Sequence, residues 1–477
     1  MIDVSAIVPM LCVTLGALAV MGAEAFRAKG ENLPLGGLGI VGLVGAAVAA
    51  VLLWDRNAAS FGVIVADNFG LFVTLVLVAV GVLTITFSGP VVARDGLPKG
   101  DYYALVLFAI VGMIMMASAN DLLVVFIALE ILSIAVYVLT GIRRDDPRAT
   151  EAAFKYFLLG AFSSAFFLYG IAFVYGLSGS TRLDRVGAYL AAQALSENPL
   201  ILVGLGLLLV GFAFKISAVP FHMWTPDAYE GAPAIVTGFM STGVKAAAFA
   251  AFARVFLSAF EPFTGEWAPL VWLLAAATMI LGTVVGVAQS NLKRMLAYSS
   301  IAHGGYLLVG LVAANDVGKA AILFYLAAYA VTNLAAFGVI ALLGARNAPN
   351  DELRDYAGLW QTRPALAGLM TVCLLSLGGL PPTVGFIGKW YVFSAAVSAG
   401  YYGLAIIGVL TSVVSVFFYL RVIVMMYMAD RPAALALAPT PRVGMAALVA
   451  SIVIIIALGV LPTPVLDLAA ASIATIF

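Results

Sequence analysis

The chain has 477 residues, of which 64% are hydrophobic and only 10% are charged. Soluble domains carry about 25% charged residues, so this composition excludes a water-soluble globular protein. The apolar runs are continuous and exceed the roughly 10 residues of a barrel strand, which excludes a transmembrane β-barrel and favours an all-α, polytopic membrane protein. The formal net charge is zero, so the expected surroundings are a lipid bilayer, and nucleic acid is not an expected partner.

Fourteen apolar runs are long enough to cross a bilayer as helices, which takes about 20 residues each. They fall at 4–22, 35–53, 69–89, 102–118, 121–140, 152–176, 199–226, 234–258, 269–289, 294–313, 319–343, 365–397, 401–428 and 443–462. Residues 1–100 hold the first three spans, 101–258 hold spans 4–8, and 268–428 hold spans 9–13. The last span and a C-terminal tail occupy residues 429–477.

The 24 Lys and Arg residues predict the orientation of these spans, because basic residues concentrate in cytoplasmic loops. Most of them are in loops that follow odd-numbered spans: Arg27, Lys29, Arg94, Lys99, Arg143, Arg144, Arg148, Lys155, Lys293, Arg294, Arg346, Arg354, Arg363, Arg431 and Arg442. Only Arg56, Arg182, Arg185 and Lys319 are in loops that follow even-numbered spans. The sequence therefore predicts that both termini face the outside of the membrane.

Two of the spans are long and interrupted by proline, which removes a backbone donor and breaks a helix. Span 7 contains "KISAVPFHMWTP", and span 12 contains "LGGLPPTVGFIGKW". These interruptions lie five spans apart, which predicts two five-helix repeats, spans 4–8 and spans 9–13. Because five is odd, the second repeat must enter the membrane in the opposite direction, so the repeat is expected to be inverted.

Ionisable side chains lie near the middle of several spans: Glu130, Lys215, Lys245 and His303, with Lys389 in the second half of broken span 12. A charge at the centre of a spanning helix costs about 2.5–3.5 kcal/mol on insertion scales, so these groups are expected to face the bundle interior. A buried ammonium is disfavoured by lost hydration and favoured by a nearby carboxylate, so a lysine with a movable carboxylate partner can exchange protons. A helix break exposes backbone groups that bind water. The pattern therefore predicts a proton-translocation site.

A structural interpretation of the same residues stays open, in which buried ion pairs only fix the packing of helices. His303 in particular is as readily structural as functional. Arg254 and Arg421 lie nearer to the ends of spans and are expected to extend toward the membrane surface. A polar cluster in span 11 either binds water or holds helices together; it consists of Tyr329, Thr332 and Asn333.

Motifs for cofactor binding are absent or lie in unsuitable positions. "GLGIVG" at 37–42 matches the dinucleotide fingerprint, but it lies inside span 2 without a preceding strand and is better explained by close helix packing. Cys12 and Cys373 are far apart and show no metal or redox spacing. The sequence has no P-loop, no haem-attachment motif and no cysteine cluster for an iron–sulfur centre. We expect no cofactor and no metal in this chain.

These motifs resemble the antiporter-like membrane subunits of respiratory complex I, the proton-conducting membrane transporter family. The resemblance is strongest from about 102 to 428 and rests on Glu130, "KISAVPFHMWTPDAYEGAP", "STGVKAAAF", "NLKRMLAYSSIAHGGY" and "GLPPTVGFIGKWYVF". Members carry Glu on span 5, Lys on broken span 7, Lys or His on span 8, and Lys or Glu on broken span 12. The resemblance implies these roles for Glu130, Lys215, Lys245 and Lys389.

Lys389 differs from the glutamate of the M-type subunit, and the chain is too short for the lateral helix of the L-type, which favours the third type of these subunits. The resemblance then implies a proton-translocating subunit of NADH:quinone oxidoreductase in a bacterial inner membrane. Its expected partners are the M-type subunit, the small K-type subunit and the L-type lateral helix, while FMN, iron–sulfur clusters and quinone belong to other subunits. Two alternatives stay open: a subunit of a cation/proton antiporter or membrane-bound hydrogenase, and a non-conducting scaffold.

Overall fold

The computed structural model describes residues 3–28, 31, 33–192, 199–345, 350–430 and 439–476. Three basic residues used above to predict orientation, Lys29, Arg346 and Arg431, lie outside these ranges. The helices are α1 (Val8–Ala25), α2 (Leu35–Leu53), α3 (Asn68–Asp95), α4 (Lys99–Ser118), α5 (Leu122–Thr140), α6 (Pro147–Ser178), α7 (Leu183–Ala192), α8 (Leu200–Lys215), α9 (Trp224–Gly231), α10 (Ala234–Phe239), α11 (Lys245–Arg254), α12 (Thr264–Val287), α13 (Leu292–Ala313), α14 (Asp316–Leu343), α15 (Leu359–Thr362), α16 (Pro364–Gly378), α17 (Val384–Ser398), α18 (Tyr402–Met428), α19 (Arg442–Val460) and α20 (Thr463–Ile473). The strands are β1 (Ala58–Ser60) and β2 (Ile64–Ala66).

Twelve helical segments of the described chain are long and apolar enough to cross a membrane. Each coincides with one predicted span that contains no break. One of them, Ala234–Ala259, consists of α10 and α11 together with two π-helical turns, Met240–Val244 and Val255–Ala259. The shorter apolar helices α8 and α16 begin the two spans for which a break is predicted.

Polar side chains at the starts of several helices accept a hydrogen bond from a backbone N–H that the first helical turn leaves unpaired. These capping residues are Asp67 before α3, Asp121 before α5, Asp146 before α6, Asn291 before α13 and Asn315 before α14. Lys155, which was counted above with the loop after span 5, lies inside α6.

The interior of the bundle is formed by the segment Ala234–Ala259, α13 and α14, whose most apolar windows are buried to 100%, 94% and 89%. By the same measure α1, α2 and α19 are peripheral, with 39%, 39% and 28% buried. α13 packs against α9, α12, α14 and α17, so it contacts both broken spans. The most interior helices are therefore the ones that carry Lys245 and His303.

Both predicted helix breaks are present. Residues 216–223 separate α8 from α9, and residues 379–383 separate α16 from α17. The first break is tied together by Thr225, whose hydroxyl donates to Ser217 Oγ over 2.7 Å. In the second break Gly379 has a φ of +82°, a left-handed conformation that glycine adopts without steric cost.

Four short elements are not predicted from the sequence: the hairpin β1–β2 and the helices α7, α15 and α20. The strands pair antiparallel in the loop between α2 and α3, with Ala59 opposite Val65. Strands of three residues are too short to show an alternating pattern, so the sequence does not reveal this hairpin, which leaves the all-α class of the fold unchanged. α20 packs against α3 and α14, where the sequence predicts only a C-terminal tail.

A buried ion pair joins α3 to one end of α11. Arg254 is only 3% exposed, and its guanidinium donates to both carboxylate oxygens of Asp67 over 2.7 and 2.8 Å. It also donates to the Ala117 carbonyl over 3.1 Å. The expectation that Arg254 extends to the membrane surface is therefore wrong, because a bidentate carboxylate partner lies inside the bundle.

Arg421 also contacts the protein rather than extending away from it. Its guanidinium donates to the Val287 carbonyl over 3.0 Å and to the Gln289 carbonyl. These carbonyls lie at and just beyond the C-terminal end of α12, where the helix leaves acceptors unpaired. The side chain therefore caps a neighbouring helix.

Replacement of Arg254 by methionine is expected to lower the stability of the fold by about 3–5 kcal/mol, because Asp67 is left as an unpaired buried charge. The matched control is Arg182→Met, which removes a pair with Asp184 whose side chains are 33% and 50% exposed. Arg182 lowers the pKa of the Asp184 carboxyl by hydrogen bonding to it, but such an exposed pair contributes only about 0–1 kcal/mol.

The measurement is the thermal stability of the purified protein in detergent, together with the amount recovered from the membrane. Equal losses in the two variants would contradict the assignment of a stabilising role to the buried pair.

Candidate functional site

Glu130 and Lys215 lie between α5, α6 and α8. Lys215, the last residue of α8, is 3% exposed, and its ammonium donates to Ser133 Oγ over 2.7 Å. Glu130, one turn before Ser133 on α5, accepts from Ser164 Oγ of α6 over 2.5 Å. Among the described residues Glu130 and Lys215 form no direct ion pair. A serine hydroxyl binds each of the two residues instead.

A small cavity lies between these two hydrogen-bonded groups. Its lining includes Ser164, Lys215 and apolar side chains, and its volume of about 10 Å³ is room for about one water molecule. The ammonium also lies 5.6 and 5.5 Å from the ring centroids of Tyr137 and Tyr156, within the range of a cation–π contact. Lys215 is thus held by neutral groups only.

Lys245 is the first residue of α11 and directly follows the π-helical turn Met240–Val244. It is 2% exposed, and its ammonium donates to Ser300 Oγ over 2.8 Å and to the Ser300 carbonyl. The Tyr329 ring centroid lies 5.8 Å from the same ammonium. Because Ser300 is three residues before His303 on α13, Lys245 binds the turn of helix that also presents the histidine.

His303 is 3% exposed and lies between two tyrosines. Its Nδ1 is 2.6 Å from the Tyr325 hydroxyl, and its Nε2 is 3.2 Å from the Tyr419 hydroxyl. The Tyr419 hydroxyl is also 2.5 Å from Ser299 Oγ. A neutral imidazole has one donor and one acceptor nitrogen, so one tyrosine donates and the other accepts. A change of tautomer would reverse both hydrogen bonds.

Lys389 binds the end of the half-helix on the other side of its break. Its ammonium donates to the Leu377 and Gly378 carbonyls of α16 over 3.0 and 2.9 Å, and to Ser412 Oγ of α18 over 2.8 Å. The Tyr306 ring centroid is 5.0 Å away. The carbonyl end of a helix carries partial negative charge, which favours a cation at this position.

The polar cluster of span 11 joins neighbouring helices and borders a small cavity. Asn333 donates to Ser241 Oγ over 2.7 Å, which joins α14 to the π-helical turn before Lys245. Thr332 Oγ1 lies 3.3 Å from Ser376 Oγ of α16. A second cavity of about 10 Å³ is lined by Thr332, Ser376, Tyr329 and His303, which again is room for about one water molecule.

Hydroxyl groups that are not predicted from the sequence bind the five ionisable residues: Ser133, Ser164, Ser300, Ser412, Tyr325 and Tyr419. A signal for two of them was present. Ser133 is three residues after Glu130, and Ser300 is three residues before His303, spacings that place each pair on one face of its helix. The partners on other helices have no such spacing, because only tertiary packing brings them to the site.

Comparisons with known proteins assign this arrangement to one class of membrane protein. The family model described as "NADH:quinone oxidoreductase/Mrp antiporter, TM" matches residues 119–415. The chain belongs to this family. The resemblance to the antiporter-like membrane subunits of respiratory complex I is thereby confirmed.

Within the family the chain is similar to proteins named NADH-quinone oxidoreductase subunit N. That of Trichlorobacter lovleyi is 46% identical over 427 residues, which are 89% of this chain and 88% of that protein. Subunit N 1 of Solibacter usitatus is 42% identical over 99% of this chain and 98% of that protein. These relatives span nearly the whole chain, including both broken helices.

Solved structures show the same fold. A chain of respiratory complex I from Thermus thermophilus, solved with bound aureothin, has a TM-score of 0.83 and 37% identity, covering 97% of this chain and 99% of that chain. A chain of the Mrp complex from Dietzia has a TM-score of 0.86 at 22% identity and covers 99% of this chain and 98% of that chain. At 22% identity the second likeness shows only that the chain of the Mrp complex has the same fold.

Replacement of Gly385 by alanine is expected to displace α17 and with it Lys389. A Cβ at Gly385 would lie 1.9 Å from the Ser376 carbonyl oxygen, so the two half-helices would have to move apart. Overpacking of this kind typically costs about 1–3 kcal/mol. The control is Gly368→Ala on α16, where a Cβ would meet nothing within 4 Å.

Thermal stability of the purified protein and the quantity of assembled complex on native gels are the measurements. Gly385→Ala should lower both, and Gly368→Ala should lower neither. If Gly385→Ala matched the control, the close approach of the two half-helices would be wrong.

Proposed function

We propose that this chain is the N-type, proton-translocating subunit in the membrane arm of an NADH:quinone oxidoreductase, and that it moves protons when quinone is reduced elsewhere in the complex. The observation that carries the proposal is the set of four interior ionisable side chains, Lys215, Lys245, His303 and Lys389, each at most 4% exposed and each bound to hydroxyl groups. Hydroxyl groups can both donate and accept, so they suit a path along which protons move.

We infer fourteen spans, twelve of them continuous and two interrupted, with spans 4–8 and 9–13 forming an inverted repeat in residues 101–258 and 268–428. Residues 1–100 and 429–477 flank the repeat. The two breaks, five spans apart, support this architecture. Both termini would face the periplasm. In support of this orientation, Arg94, Arg143 and Lys293, from the loops after spans 3, 5 and 9, line one small cavity and therefore lie at the same end of the bundle.

The proposed path runs from Glu130 to Lys215, then to Lys245, His303 and Lys389. Between Glu130 and Lys215 the carriers are Ser164, one water position and Ser133. α13 connects the later groups, because Ser300 binds Lys245, His303 follows one turn later, and the Tyr306 ring faces Lys389. Each transfer changes the charge of a buried group. The Glu130 carboxylate favours a protonated Lys215, whereas Lys245, His303 and Lys389 disfavour one another's protonated forms, so a proton that arrives at one of them promotes release from its neighbour.

Electron carriers are proposed to lie in other subunits: FMN, the iron–sulfur clusters and the quinone site. The sequence of this chain supports that division, since its one dinucleotide-like motif lies inside a membrane span and its cysteines are isolated. The proposed immediate neighbours are the M-type subunit, the K-type subunit and the lateral helix of the L-type. The rival function is a non-conducting scaffold, in which the same charges serve only helix packing.

Glu130→Gln and Lys215→Ala are expected to lower NADH-driven proton pumping by about tenfold or more, because a positioned proton carrier typically contributes at least this much. Glu130→Asp and Lys215→Arg keep the charge and should be less severe. NADH:quinone turnover should fall in parallel, although no redox group lies in this chain, since the steps of one complex are coupled. Turnover and proton uptake are measured in inverted membrane vesicles.

Assembly is monitored on native gels and by NADH oxidation with an artificial electron acceptor that does not require the membrane arm. Fully assembled Glu130→Gln and Lys215→Ala complexes that pump at the normal rate would contradict the proposal and favour the non-conducting scaffold.

A further inference from the structure

The backbone carbonyl groups at the ends of the two broken helices accept hydrogen bonds from different donors. At the second break the Lys389 ammonium binds the Leu377 and Gly378 carbonyls. At the first break the Phe214 carbonyl, which directly precedes Lys215, accepts from the indole Nε1 of Trp224 over 3.0 Å. The same carbonyl also accepts from the Ser217 backbone N–H over 3.1 Å. A carbonyl oxygen has two acceptor positions, so both are filled without the lysine.

Trp224 also supports the aromatic surface that the Lys215 ammonium faces. Its ring is stacked on that of Tyr156, with centroids 4.1 Å apart and planes inclined by 4°. The Lys215 ammonium lies 5.5 Å from the centroid of the Tyr156 ring. Trp224 itself is only 3% exposed and is the first residue of α9, so one side chain spans the break and fixes the wall of the lysine pocket.

We propose that Trp224 is a positioning residue for proton transfer at Lys215. By filling the carbonyl at the end of α8 and backing the Tyr156 ring, it keeps the ammonium on Ser133, one helical turn from Glu130. This inference rests on the function proposed above for Lys215. At the second break Trp390, the residue after Lys389, is 61% exposed, and the lysine binds the helix end itself.

The contacts of Lys389 indicate how Lys215 would respond to the loss of the indole N–H. Without it, the Phe214 carbonyl has an unfilled acceptor position in a buried site, and we infer that the ammonium of the adjacent residue Lys215 would fill it. Lys215 would then adopt the arrangement that Lys389 already has, bound to its own broken helix. Its ammonium would leave Ser133 and with it the turn of α5 that carries Glu130.

The test is Trp224→Phe, which keeps an aromatic ring and removes the N–H donor. NADH-driven proton pumping should fall about tenfold, the effect of one lost hydrogen bond of about 1.4 kcal/mol. The pH profile of turnover should change, whereas the KM for quinone should not. The matched control is Trp267→Phe, because Trp267 is 0% exposed and its Nε1 donates to the Phe260 carbonyl over 3.0 Å, away from the ionisable residues. This control should pump normally.

The same substitution in a Lys215→Ala protein distinguishes an effect on the position of Lys215 from a general loss of stability. In Lys215→Ala, Trp224→Phe should cause no further loss of residual turnover, because it acts through the missing lysine. Additive losses, or a Trp224→Phe complex that is assembled and pumps like the parent, would overturn the inference. Lys215→Ala pumping normally would instead overturn the proposed function.

Trp224→His is the conservative variant, and it tests the positioning role of Trp224 if the Trp224→Phe complex does not assemble. The imidazole retains a ring N–H, so it should recover part of the pumping that phenylalanine loses. An assembled Trp224→His complex that pumps no better than Lys215→Ala would also overturn the inference.

Discussion

A charge inside an apolar bundle is unfavourable unless the protein supplies partners for it, and this constraint organises the interior of the molecule. The structure meets it in two distinct ways. Arg254 is bound by a bidentate carboxylate, which fixes both its position and its charge. Lys215, Lys245 and Lys389 are bound by hydroxyls, carbonyls and ring faces, with no carboxylate in direct contact among the described residues. Neutral partners stabilise an ammonium less strongly, and a hydroxyl can still bond to the neutral amine after the proton has left.

The irregular parts of the helices follow from the same constraint. In an uninterrupted helix the interior carbonyls already accept backbone hydrogen bonds, so only their second acceptor position is open to a side chain. The break between α16 and α17 frees the carbonyls that bind Lys389, and a π-helical turn directly precedes Lys245. π-helical turns occur frequently at functional sites, where they alter the direction of the following side chains. The departures from regular helix thus coincide with the positions where an ionised group has to be accommodated.

The spans, the two breaks and the buried lysines could be predicted from the sequence because their signals are local. Length of an apolar run, a proline within it and a charge at its centre can each be read within about 20 residues. The partners could not be predicted in this way. Arg254 and Asp67 are 187 residues apart in the chain, so the position of Arg254 near a span end favoured the wrong expectation. Likewise Ser164 lies 34 residues after Glu130, on the next helix, and the serines that bind Glu130 and Lys215 come from two different helices.

The difference between the two breaks bears on how the proposed inverted repeat could favour one direction of proton movement. Two halves with identical partners would hold a proton with equal free energy, and neither would be favoured as donor or acceptor. Here one lysine faces two tyrosine rings and a serine, with the helix end filled by Trp224, whereas the other binds the helix end directly. The partial negative charge of those carbonyls stabilises the ammonium of Lys389 in a way that is unavailable to Lys215. Under the proposed function, unequal partners at the two breaks therefore give Lys215 and Lys389 unequal free energies of proton binding, and Trp224, which carries no charge, contributes to the inequality.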